Sequence, residues 1–117
     1  MPTGRSSGCA ELVGALPDLL AEGLSRRLVA GDPTRTAAWG DPAVTLACGA
    51  ARPSPTAMRL RLGPPDGPLQ TFAIDDVGAA TAYTTVGLDV PVVVTVPDTQ
   101  DATVLVPLVE PLRRTLR

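Results

Sequence analysis

The sequence predicts an α+β fold: one small domain whose mainly antiparallel sheet of five or six strands carries an N-terminal and a C-terminal helix on one face. Three observations lead there. Apolar residues recur at helical spacing near both ends of the chain. Between them lie short runs, several rich in Val and Thr, in which apolar and polar residues alternate with period two. Finally, 117 residues suffice for one compact domain and are too few for two, and 44% apolar types let a real core form.

Residues 1–8 are short and polar and are expected to be disordered, with the domain spanning residues 9–117. Residues 8–23 read as helix, with Leu12, Val13, Leu16, Leu19 and Leu20 on one stripe, a kink or division at Pro17 and a stop at Gly23. A short strand at 24–30 and a turn at Gly31-Asp32-Pro33 follow. Residues 36–39 and 44–48 are strands flanking Gly40-Asp41-Pro42, because Asp before Pro is pushed away from helix and Gly accepts unusual dihedrals. Val44, Leu46 and Cys48 share one face of the second strand. After a loop at 52–55, residues 57–62 place Met58, Leu60 and Leu62 on one side and Arg59 and Arg61 on the other. The Pro- and Gly-rich residues 63–68 form a surface loop. Strands at 71–75, 81–86 and 90–96 lead to a last helix from about Asp101 to Leu116. Pro107 and Pro111 predict that this helix is kinked or starts late.

Composition removes several chemistries. There is no His, no Lys and no Asn, and all ten positive side chains are Arg. Ser–His and Cys–His nucleophile activation, His-ligated zinc and Schiff-base catalysis are therefore absent from the inventory. No catalytic constellation, metal site or cofactor motif is expected. A net charge of −2 gives no general pull toward nucleic acid, and no window is apolar enough to span a bilayer.

The remaining candidates each have a plain structural reading. Asp75-Asp76, adjacent on a strand, point to opposite faces and cannot act as a dyad. Asp98 and Asp101, three residues apart, are carboxylates that could touch a cation, but the segment lacks the further ligands and central Gly of an EF-type loop, and capping of the last helix by Asp101 is the preferred account. Arg59 and Arg61, with Arg26-Arg27 nearby, form either a solvated face or a site for phosphate or carboxylate. Trp39-Gly40-Asp41-Pro42 is a hairpin turn with a core Trp beside it; its functional alternative is a recognition turn. Cys9 and Cys48 are two buried thiols or one disulfide, and spacing alone does not choose.

A series of motifs points further. Leu16-Pro17, Arg26-Arg27, Ala38-Trp39-Gly40-Asp41-Pro42, Leu46-Ala47-Cys48-Gly49 and Arg52-Pro53 come in order. Tyr83-Thr84-Thr85-Val86-Gly87 and Val94-Thr95-Val96-Pro97 follow. From about Cys9 to Leu116 the chain resembles an uncharacterised domain-of-unknown-function family of small actinobacterial exported proteins. The resemblance implies that Cys9 and Cys48 pair as a disulfide. It also implies an extracytoplasmic domain, secreted or tethered through a segment that this sequence does not show. It supplies no activity and no catalytic residues.

The expected function is accordingly a non-enzymatic, envelope-associated module that binds a protein or wall component. Its surface is expected at Trp39, Gly40, Asp41, Pro42, Arg59 and Arg61, with the 63–68 loop alongside. Two alternatives stand beside it: a small enzyme in which Arg59 or Arg61 gathers with Asp75 or Asp89 in a pocket, and a cytosolic partner protein with both thiols free.

Overall fold

Pro17 decides how the chain begins. It has no N–H to donate, and its ring crowds the carbonyl of residue 13. In the computed structural model, which describes residues 4–21, 24–27, 35–40, 42–49, 52–53, 56–88 and 90–116, the first helix (α1) therefore spans Gly4–Ala15. It neither kinks and continues to residue 23 nor waits until residue 8: residues 4–8, expected to be disordered, are helical. The Leu16 N–H reaches the Val13 carbonyl at 3.3 Å, and the chain then extends into β1 (Leu19–Ala21). Leu20 is buried there while Leu19 is 58% exposed, whereas a continuing helix was expected to bury both. Gly23, residues 28–30 and the turn at residues 31–33 lie outside the described residues.

β2 (Leu24–Arg27), β3 (Thr36–Trp39), β4 (Val44–Cys48), β5 (Met58–Leu62), β6 (Gln70–Asp76), β7 (Ala80–Val86) and β8 (Val92–Pro97) complete one sheet. All neighbours are antiparallel, in the order β1-β2-β3-β4-β8-β7-β6-β5. The sheet thus has eight strands, not five or six. Its first edge explains part of the difference, because the three-residue β1 falls within the stretch read as helix. The topology is two four-stranded meanders, β1–β4 and β5–β8, joined by the pairing of β4 with β8. The chain between β4 and β5 must therefore cross to the far edge of the sheet.

One face of this sheet is the core. Trp39, Val44, Leu46, Phe72, Val92, Val94 and Val96 are almost wholly buried on it, by strand alternation. Leu12 of α1 and Leu108 and Leu112 of the second helix (α2, Val106–Leu116) lie against them, each fully buried. Each such side chain contributes about 1.5–3 kcal/mol by leaving water. Both helices thus cover the same face, as the sequence predicts.

The last helix starts late. Residues 102–105 form a single 3₁₀ turn before α2, so Pro107 falls in the first turn of α2, where a missing N–H matters little. Pro111 sits inside the helix and is itself buried, and the Thr115 hydroxyl donates to its carbonyl at 2.8 Å. Asp101 caps the start, accepting from the Thr103 hydroxyl and from the Thr103 N–H at 3.0 Å. Those two bonds hold its carboxyl below the ordinary carboxylate value. A lowered carboxylate stabilises the fold at neutral pH and loses that contribution as pH falls through the lowered value. Asp101→Asn is expected to flatten this part of the acid limb of stability, read from thermal melts across the acid range. An unchanged acid limb would show that the cap contributes nothing.

A buried polar knot fixes α2 to β6. Gln70, 1% exposed, donates to the carbonyls of Thr71 (2.9 Å) and Val86 (2.8 Å), and its oxygen accepts from Arg113 at 3.3 Å. The same guanidinium donates to the Leu69 carbonyl at 3.2 Å. Gln70 thus uses both ends of its amide, which is why a polar side chain is tolerated there.

Candidate functional site

The outward face of the sheet is built of small residues. Thr45 and Ala47 of β4 lie opposite Thr95 and Val93 of β8, and Ala82 and Thr84 of β7 continue the row toward Ala73 and Asp75 of β6. Arg59 and Arg61 close it at β5, Arg59 directly opposite Ala73 and Arg61 opposite Thr71. Both arginines are exposed on this face, as the alternation of residues 57–62 predicts. The inner partner Met58 is 76% exposed, since the core does not extend to the start of this edge strand.

Four described residues between β4 and β5 lie over that face. Arg52, Pro53, Thr56 and Ala57 roof a cavity of about 410 Å³ whose floor and wall are Ala73, Thr84 and Asp75. Ala73 and Thr84 are cross-strand partners, and Ala73 is only 3% exposed although it faces away from the core. The site therefore unites residues from three stretches of sequence. Arg52 and Asp75 bring opposite charges to it, and among the described residues neither is engaged in a hydrogen bond or ion pair. Asp75 shares this face with Arg59, but neither Arg59 nor Arg61 lines the cavity with it as the pocket alternative requires, and Asp89 lies outside the described residues. Arg52 was not among the expected site residues, because its position follows from the path of the crossover and from no local motif. A second depression of about 330 Å³ lies between Pro68 and the half-buried Arg113 and exposed Glu110 and Arg114 of α2.

The tryptophan turn is placed elsewhere. Trp39 is 0% exposed, its indole N–H donates to the Pro17 carbonyl at 2.9 Å, and the Arg26 guanidinium stands 5.7 Å from the ring centroid. This corrects the expectation that Trp39 meets a partner: its ring is part of the core and holds the turn from beneath. Arg26 faces inward with it and does not add to Arg59 and Arg61. Arg27 donates to the Gly40 carbonyl at 2.8 Å, and the Gly40 N–H reaches the Ser25 carbonyl at 3.0 Å. Pro42 is exposed, and Asp41 lies outside the described residues. The expected surface is also divided. β3 and β5 stand five strand spacings apart, roughly 24 Å. The register further sets the turn at residues 39–42 and the loop at residues 63–68 at opposite ends of the strands.

Gly40 has φ +77°, and a Cβ there would stand 2.4 Å from Leu24 Cδ2. Gly40→Ala is therefore expected to destabilise by about 1–2 kcal/mol for the left-handed backbone alone, with more from the clash. Chemical denaturation checks this, and a loss below that range would mean that the turn rearranges.

Cys9 of α1 and Cys48 of β4 form a disulfide with a Cα–Cα distance of 5.7 Å. Cys48 points to the core beside Val44 and Leu46, so the bond staples α1 onto the sheet. Among the described residues, no group of three or more Cys, Asp or Glu side chains is placed to hold a metal ion. No described helix is long and apolar enough to cross a membrane. No curated protein and no solved structure matches the chain. A family model does match, along residues 1–117, and the chain belongs to that family, whose description is Protein of unknown function (DUF3515).

Proposed function

We propose that this protein is a non-enzymatic, extracytoplasmic binding module of the cell envelope, which engages a protein or wall component through the outward face of its sheet. The Cys9–Cys48 disulfide carries this reading, since such bonds persist in oxidising compartments and are rare where thioredoxin and glutathione keep thiols reduced. The choice of face follows from what covers the other one. Both helices occupy the core side, while the outward side keeps Arg59, Arg61 and the crossover cavity accessible.

The test has two arms. Protein extracted under denaturing conditions without reductant is expected to take up no thiol label. A photocrosslinker placed at Thr71, opposite Arg61 on the same face, is expected to capture an envelope component, and Arg59→Ala with Arg61→Ala is expected to weaken that capture about tenfold, or ~1.4 kcal/mol. Two labelled thiols would overturn the location; capture unaffected by the arginines would overturn the surface. A second reading draws on the cavity itself: Asp75 beside Arg52 suits a small carboxylate- and arginine-based enzyme acting on an envelope substrate.

A further inference from the structure

We infer that the cavity beneath the β4–β5 crossover is a binding site for a small zwitterion, a molecule carrying an anionic and a cationic group close together, such as an amino acid, a short peptide or phosphoethanolamine. The inference rests on the outward face being the working surface and names what that surface takes.

Its volume of about 410 Å³ falls in the range of small-molecule sites, roughly 300–1,000 Å³. Its charges are specific. Arg52 contributes a guanidinium, with Arg59 flanking the floor across from Ala73, and Asp75 contributes a carboxylate. Arg52 and Asp75 both line the cavity, and among the described residues no ion pair joins them. A simple anion entering here meets the Asp75 charge, and a simple cation meets Arg52. A ligand with both signs satisfies both walls through charge-assisted hydrogen bonds, which are roughly twice as strong as neutral ones. The Thr84 side chain on the floor adds a hydroxyl beside the two charges.

Ala73 makes the space. Its outward-facing methyl group is enclosed, and any longer side chain at that position projects into the cavity.

The experiment titrates the full chain, followed by amide NMR shifts, with glycylglycine, N-acetyl-glycylglycine, glycylglycine amide and phosphoethanolamine. Saturable shifts at Ala73, Thr84 and Arg52 are expected with glycylglycine or phosphoethanolamine at concentrations up to about 10 mM. Which of the two binds more tightly identifies a carboxylate or a phosphate as the anionic group. Each singly charged derivative of glycylglycine is expected to bind about tenfold more weakly than its parent. Arg52→Gln is expected to weaken both zwitterions by a similar factor, and Asp75→Asn to abolish the preference for glycylglycine over its N-acetyl form. Ala73→Leu is expected to weaken every probe while the thermal melt stays cooperative. No saturable shift with either zwitterion would overturn the inference, as would N-acetyl-glycylglycine binding as tightly as its parent. A chain with an intact disulfide and a captured envelope partner, but no zwitterion binding, would remove this ligand and leave the binding-module reading in place.

Discussion

Exchanging Cys9 and Cys48 together for Ala is expected to lower stability by about 4 kcal/mol. The two residues are 39 apart in sequence, and in the chain-entropy account a ring of that size restricts the unfolded ensemble by this amount. Against a typical total of about 5–15 kcal/mol, the loss leaves little margin. Because the uncrosslinked chain exposes more surface when unfolded, the urea dependence of the free energy should also steepen. Both quantities come from the same urea titration. A loss below about 1 kcal/mol would mean that packing between α1 and the sheet holds the helix without the bond.

Trp39→Ala is the other large effect, at about 3–5 kcal/mol. The ring is fully buried, so truncation leaves a cavity between β3 and the first segment. It also strands the Pro17 carbonyl, which accepts the indole N–H at 2.9 Å, and removes the surface over which Arg26 lies. Trp39→Phe separates the parts: it keeps most of the apolar volume and loses the donor, with an expected cost of about 1–3 kcal/mol. Equal losses in the two variants would assign the whole effect to the hydrogen bond. Trp39 lies opposite Val44, four residues or roughly 13 Å along β4 from Cys48. The Trp39 and cysteine effects are therefore expected to add within about 0.5 kcal/mol, which a triple variant checks.

Local pattern carries far in this chain, and its failures have physical causes. β3 and β4 begin and end where the sequence predicts because a Gly, an Asp before Pro and flanking strand formers punctuate them on both sides. The late last helix follows from Pro107 and Pro111 in the same way. The extent of the first helix differs because Leu19 and Leu20 satisfy helical spacing, and of the two outcomes expected at Pro17, a kink or a division, the structure shows the division. Trp39 beside a Gly turn is compatible with either a core or a contact residue, and the carbonyl that decides the matter lies 22 residues away at Pro17. The cavity is least legible of all. It requires knowing that the chain goes from β4 to the far edge of the sheet and that Arg52, Pro53, Thr56 and Ala57 come to line a cavity with Ala73, and both are properties of strand order, which no local period encodes.

One sulfur of the cross-link lies in α1 and the other in β4, the last strand of the first meander, and no strand after residue 48 contributes to that ring. A chain synthesised amino end first holds both cysteines of this ring before its second half is made. Until β8 arrives, β4 ends as an open edge beside Cys48, so the later half is added onto a covalently closed template.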